Sequence, residues 1–490
     1  MRIEKLFTAV RSKHLSLCLV LVAVGTFAGA QPSKEYLQKA MAAYGPWGDV
    51  KNFHYVAERT NTTPWQSYSF INPKPAPNKS EVHIDFSTGT FRNNTVFTYP
   101  GGYVFDFVNI GKDSTRWLYD KNHSRNGKIM VKQGKESYTA NMNVALQNIP
   151  YYILKTLAES TDSTSSGLSQ NAQIIISRFL KNGSRTDYFF DAKTSLLQKV
   201  ERSLTGKIFQ TLFENYTSYN GLQMASSIKQ MTDGVLTGTE LLTTFHPNTQ
   251  IAPALFVVPE SYKLQQAAAP QPLQAKAIAK DVYLIEGVAG DRNVVFVNMN
   301  DYIIVTEAPL SSDITKAVLD VIHKQLPGKP VKYVHLSHHH NDHTLGIRQM
   351  VAEGATIICT QPVEAPMRAI LNGAFGTPAD DYSKNPTQPQ FELVTGVKIL
   401  EDKDHRVEFH TVKNSHADGL SFMYLPKEGI IYEGDLLSIP EDGTITPAIE
   451  VNKEFNRYLK QNKVGYKRMI GHHGYSFITP EMFGKMLSLK

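Results

Sequence analysis

A chain of 490 residues, at roughly 100–200 residues per domain, divides into two to four domains with enough length to bury a core in each. With 41% hydrophobic, 20% charged and 10% aromatic residues, and with 32 Gly and 25 Pro, the composition excludes disordered, collagen-like and coiled-coil classes. Arg2, Lys5, Arg11 and Lys13 less Glu4 account for three of the six net positive charges, and no Lys/Arg run follows, so nucleic acid is not an expected partner.

Residues 1–30 have the layout of an export signal: a basic start, an apolar run over 15–27, and the small residues Ala28, Gly29 and Ala30 before Gln31. The apolar run is shorter than the ~20 residues a spanning helix needs, so no transmembrane anchor is expected after cleavage. The expected location is the periplasm of a Gram-negative bacterium, or secretion. Only Cys359 then remains, which rules out an internal disulfide.

From 31 to 263 the chain reads as a β-rich domain. Alternating stretches at 82–86, 103–108, 174–179 and 196–200 are separated by turn signals such as Pro100-Gly101-Gly102 and Asn182-Gly183. Residues 160–169 read as a polar loop of low complexity. The segment 264–279 carries two prolines and few large apolar residues, and is expected to link two halves. From 280 to 490 the texture is mixed α and β: strands at 282–286, 294–297 and 303–305, a helix over 313–325, a strand at 332–336, a helix at 345–353 and a strand at 356–359.

Eleven of the sixteen histidines fall in this second half. The run Ser337-His338-His339-His340-Asn341-Asp342-His343-Thr344 leaves an apolar strand and enters a helix. In extended chain, side chains alternate direction, so His338 and His340 point the same way and can bind one metal as neutral imidazoles. The turn into the helix presents Asp342 and His343 to a second metal nearby. Mixed nitrogen and oxygen donors suit Zn or Fe better than Ca or Mg. Three more donors follow at strand ends: His416, Asp435 after Gly434, and His472 after Gly471. Either His472 or His473 can be the last donor, and the position directly after Gly471 favours His472. His335, His405 and His410 read as strand or surface histidines.

This ordered set resembles the metallo-β-lactamase superfamily over about residues 280–490. The resemblance implies an α+β chain whose C-terminal half is an αββα sandwich, preceded by a separate antiparallel β-rich domain. It implies that His338, His340 and His416 hold a first metal, that Asp342, His343 and His472 hold a second, and that Asp435 bridges them. The expected cofactors are two divalent transition-metal ions, Zn first, with Fe and Mn as alternatives. An aspartate at 435, where the best-known resistance enzymes carry a cysteine, resembles the dinuclear branch and disfavours a true β-lactamase. The first half, over about 49–262, resembles periplasmic lipoprotein-carrier (LolA-like) domains, whose curved sheet holds an acyl chain.

The function these readings imply is an exported dinuclear hydrolase. A hydroxide between the metals attacks an ester-like bond (carboxylic ester, thioester, lactone, phospho or sulfo ester), with Asp342 as ligand and orienting catalytic residue. The substrate is expected to be a small molecule, with acyl- or lipid-like compounds among the candidates; the oligomeric state is open. The rivals are an envelope lipid-binding protein with an accessory metallo-domain, and an iron oxygenase of the same fold. The insert 361–405, with Arg368, Phe375, Tyr382 and Phe391, and Tyr475 are candidates to cover the site.

Overall fold

The computed structural model describes residues 33–125, 127–168, 173–204, 206–265 and 272–490; the expected export signal lies outside them. Between Asn52 and Leu264 the chain builds one sheet of fourteen strands. The strand Asn52–Asn61 is central, flanked by Ala76–Asp85 on one side and Val235–Pro247 on the other. From there the chain meanders outwards in both directions, antiparallel except where Lys263–Leu264 runs parallel to Ile129–Gln133.

Alternation sets the faces. Phe53, Tyr55 and Ala57 are buried on one side of the central strand, while His54 and Val56 turn to the other. Helices Ser33–Ala42, Lys135–Leu146 and Pro150–Glu159 cover the apolar face, where Tyr36, Leu37 and Leu154 meet Phe53, Ile84, Phe91, Phe190 and Phe245. Each such burial contributes about 1.5–3 kcal/mol.

The polar stretch expected as a loop at 160–169 contains the edge strand Ser163–Leu168, paired with Gln173–Phe179. A ladder is made by the backbone, so Ser and Thr can supply an edge without apolar side chains.

The last part of the expected linker, Ala275–Ala279, is itself a strand, paired with Val282–Val288. It opens a seven-stranded sheet that is antiparallel as far as Ile303–Thr306 and parallel from Val331–His335 onwards. A five-stranded sheet follows, from Val397–Glu401 to Arg468–Ile470. The two pack face to face through Leu284, Val295, Val297 and Ile304 against Val407, Phe409, Met423 and Ile470. Helices Ser312–Gln325, Ile347–Ala352 and Gln361–Leu371 cover one outer face, and Glu450–Gln461 and Pro480–Ser488 the other. The architecture is thus an αββα sandwich preceded by a large antiparallel domain. No helix of the described residues is long and apolar enough to cross a membrane.

Candidate metal centre

The strand Val331–His335 ends at the sandwich edge, and the chain stays buried through 336–340 before the short helix Asn341–Thr344. This places His338 and His340 side by side, with ring centres 4.4 Å apart. His416 joins them at 5.0 and 4.7 Å. Its loop is pinned by Asn414, whose Oδ1 accepts from the backbone N–H groups of His416 and Ala417. Asp435 enters from the turn after Ile430–Tyr432. Gly434 has φ +65°, and a Cβ there would lie 2.7 Å from Ser337 Oγ, so only glycine lets this turn close against the histidine run.

Each first-cluster ring is held by one nitrogen, which leaves the other for a ligand. His338 Nδ1 is hydrogen bonded to Ser337 Oγ at 2.9 Å, His340 Nε2 donates to Ser67 O at 3.1 Å, and His416 Nδ1 donates to Pro100 O at 3.0 Å. Nε2 of both His338 and His416 is buried without a hydrogen-bond partner. Both face Asp435 Oδ2, at 3.8 and 3.3 Å.

The other oxygen of Asp435 faces a second group. Oδ1 is 3.2 Å from His343 Nε2 and 3.7 Å from His473 Nε2, while Asp342 Oδ2 is 3.9 and 3.2 Å from the same two nitrogens. Donors bound tetrahedrally at about 2.0–2.1 Å stand about 3.4 Å apart, so these four atoms have the spacing of one coordination shell. His472 stands beside them, 4.1 Å from His343 between ring centres, with Nδ1 tied to Tyr432 Oη at 2.7 Å and Nε2 buried without a partner.

The structure thus brings together His338, His340, Asp342, His343, His416, Asp435 and His472, and places His473 among them. His339 turns away, with Nε2 donating to Pro64 O at 3.1 Å. His335 lies inside the sandwich against Ser421 Oγ, and His405 and His410 pair with Asp402 and Glu408. The cavity at the centre is not walled by Arg368, Phe375, Tyr382, Phe391 or Tyr475.

Electrostatics divides the two groups. Burial holds His338 and His340 well below the usual imidazole range, with neighbouring imidazoles adding to it, so these rings are neutral. For His343 and His473 burial pushes the same way, but the carboxylates of Asp435 and Asp342 outweigh it and raise both. Burial alone would push both carboxyls up; His343 and His473 instead hold Asp342 and Asp435 well below the carboxylate range. Ionised carboxylates and the neutral rings of His338 and His340 are already in the form that ligates, whereas His343 and His473 would give up to an incoming cation the protons their carboxylate neighbours favour. Each buried nitrogen left without a partner costs about 1–3 kcal/mol, which a shared cation would remove. The residues present therefore fit a pair of borderline-soft divalent cations.

Several groups here carry no motif. Glu307, fully buried at the end of Ile303–Thr306, sits 3.3 Å from His343 Nδ1 and accepts from the Ser337 N–H. Its only signal is an acidic residue ending an apolar strand. Asp291 does the same for His473 Nδ1 at 3.3 Å.

The first domain supplies the rest. Gln66 Nε2 donates to Asp342 Oδ1 at 2.8 Å, Tyr103 Oη donates to Asp435 O at 2.9 Å, and Arg125 pairs with Asp291 at 3.1 Å. Gly101 lies so close that a Cβ would meet the His416 ring at 3.2 Å. Between the domains lies a cavity of about 650 Å³, floored by Asp342, His416, Asp435 and His473 and walled by Tyr103, Phe105, Leu118, Ile129 and Val131.

The family model of the metallo-beta-lactamase superfamily matches residues 290–472. No curated protein matches the chain. Among solved structures, similarity is found to the flavodiiron protein from Giardia intestinalis, with 15% identity, TM-score 0.33, and coverage of 44% of this chain and 58% of that one. The stereoselective inverting sec-alkylsulfatase Pisa1 from Pseudomonas sp. gives 14%, 0.34, 44% and 40%. A metallo-beta-lactamase from Pontibacter korlensis gives 16%, 0.33, 44% and 98%. The chain thus spans less than two thirds of the flavodiiron protein and of the sulfatase. Over residues 290–472, this chain carries a metallo-beta-lactamase superfamily domain.

Proposed function

We propose that the protein is a hydrolase that holds two divalent transition-metal ions, zinc first, and cleaves an ester-like bond in a small molecule with an apolar part. The observation that carries this reading is Asp435, whose two oxygens face two different donor groups. His338, His340 and His416 would hold one ion, and Asp342, His343 and His473 the other, with Asp435 shared; His472, grouped with His343 and His473 and with Nε2 buried without a partner, is the alternative last donor. Such a pair supplies water acidic enough to attack near neutral pH and polarises the oxygen of the bond attacked.

The chain's own residues do the remaining work. Gln66 fixes Asp342 through Oδ1, which leaves Oδ2 to face the second ion and so to orient the attacking water there. The water oxygen adds to the electrophilic centre, the bond to the leaving group breaks, and the proton passes to that leaving group. Tyr103, Phe105, Leu118, Ile129 and Val131 would hold the apolar part of the substrate and keep bulk water away. Their apolar side chains favour a substrate with an acyl or aromatic group beside the bond attacked. Cleavage of the expected signal would put this chemistry outside the cytoplasm.

A panel of esters, thioesters, lactones, phosphodiesters and sulfate esters, run with and without chelator, tests the reading. Chelator-sensitive turnover of one class supports it. Tight binding of acyl chains with no turnover in any class replaces it with the lipid-binding alternative.

A further inference from the structure

A second histidine cluster lies in the first domain, on the sheet face opposite its helices. The register sets His83, His54 and His246 directly across from one another on three adjacent strands. The rings of His54 and His83 stack 4.2 Å apart with planes 8° from parallel, and His246 extends the row 6.1 Å from His54. Glu81, two residues before His83, points to the same face. Its Oε1 is 3.3 Å from Nε2 of both His54 and His83, so the two rings turn the same edge to one oxygen.

We infer that His54, Glu81 and His83 form a binding site for a divalent transition-metal ion, separate from the centre at the domain interface. Three donor atoms from different side chains lie within 4.8 Å of one another. The 3.3 Å separations match the roughly 3.4 Å between donors in a tetrahedral site, with water completing the shell. His54 Nε2 is buried without a hydrogen-bond partner and His83 Nε2 meets only Glu81 Oε1, although both side chains keep some access to solvent, at 20% and 11% exposure. Burial also holds both rings below the usual imidazole range, in the neutral form that ligates.

Arg92 stands opposite His83 on the next strand, and its Nη1 donates to Leu255 O at 3.1 Å. Two imidazoles and one carboxylate select Zn, Ni or Cu over Ca or Mg. An ion here would clamp two of the strands at the centre of the sheet, next to the seam where Asn52–Asn61 pairs with Val235–Pro247 from the far end of the domain.

The test is the zinc content of the full chain after equilibrium dialysis, in the wild type and in His54→Ala plus His83→Ala. The inference predicts one ion fewer per chain in the variant, with chelator-sensitive turnover within two-fold of wild type. Equal zinc content in both proteins overturns it. Should the double variant fail to fold, Glu81→Gln decides instead: affinity for that one ion should fall about ten-fold, and unchanged affinity overturns the assignment. A chain that binds only the ion lost in these variants would keep this site and sink the dinuclear reading, so the two failures are distinguishable.

Discussion

Gln66 and Asp342 come from different domains, 276 positions apart, and meet in a 2.8 Å hydrogen bond at the mouth of the candidate metal centre. The first domain therefore does more than stand beside the second: one of its loops fixes a carboxylate of the second group. Partners of metal ligands typically cost about 10–100-fold in affinity or activity when removed. Gln66→Ala should lose turnover by about that factor, with circular dichroism and thermal unfolding unchanged. A rate equal to wild type would show that Asp342 is oriented without it.

Asp435→Asn separates a bridging ligand from a turn residue. An amide bridges two cations less well than a carboxylate, while the three histidines of the first group are untouched. The variant should fold, keep the ion held by His338, His340 and His416, and lose most of its turnover. Full zinc content at the centre with near-normal activity would remove Asp435 from the site.

The apolar wall gives a prediction about chain length. Phe105 stacks between Tyr103 and Phe107, with ring centres 6.3 and 5.8 Å away. Phe105→Ala should raise KM for long-chain esters by about ten-fold, or ~1.4 kcal/mol, and leave KM for acetyl esters nearly unchanged. Equal effects on both would place the apolar group of the substrate elsewhere.

Burial of imidazoles makes the fold sensitive to acid. His335, inside the sandwich, is pushed by burial to about 3, whereas the unfolded chain titrates it at 6.5. As pH falls below 6.5 the unfolded state takes up a proton that the folded state refuses, so stability falls with it, by about 2 kcal/mol at pH 5. Metal at the interface leaves this group untouched, so the loss should persist in zinc-loaded protein. Chemical unfolding at pH 7.5 and 5 checks it, with His335→Gln expected to flatten the difference.

Much of the centre was legible in the sequence because spacing carries geometry. Alternation through His338, His339 and His340 separates the two metal-facing rings from the one that turns to Pro64, and the structure keeps that separation. The choice between His472 and His473 was not legible, since adjacent residues after a strand end share the same pattern. Only the distances to Asp342 and Asp435 bring His473 forward. Gln66, Pro64, Ser67 and Pro100 were hidden for another reason: they act through an amide or backbone carbonyls contributed across the interface, and such groups have no sequence signature. The strand Ser163–Leu168 reads as a loop in the sequence because an edge strand can be made almost wholly of polar residues.

The account rests on Asp435 holding one ion at each oxygen, and anomalous diffraction at the zinc edge from crystals of the zinc-loaded chain tests that most directly. Two peaks are predicted at the centre, one within bonding distance of Oδ2 beside His338 and His416, the other of Oδ1 beside His343 and His473. A single peak there, or two that both lie outside bonding distance of Asp435, would contradict it.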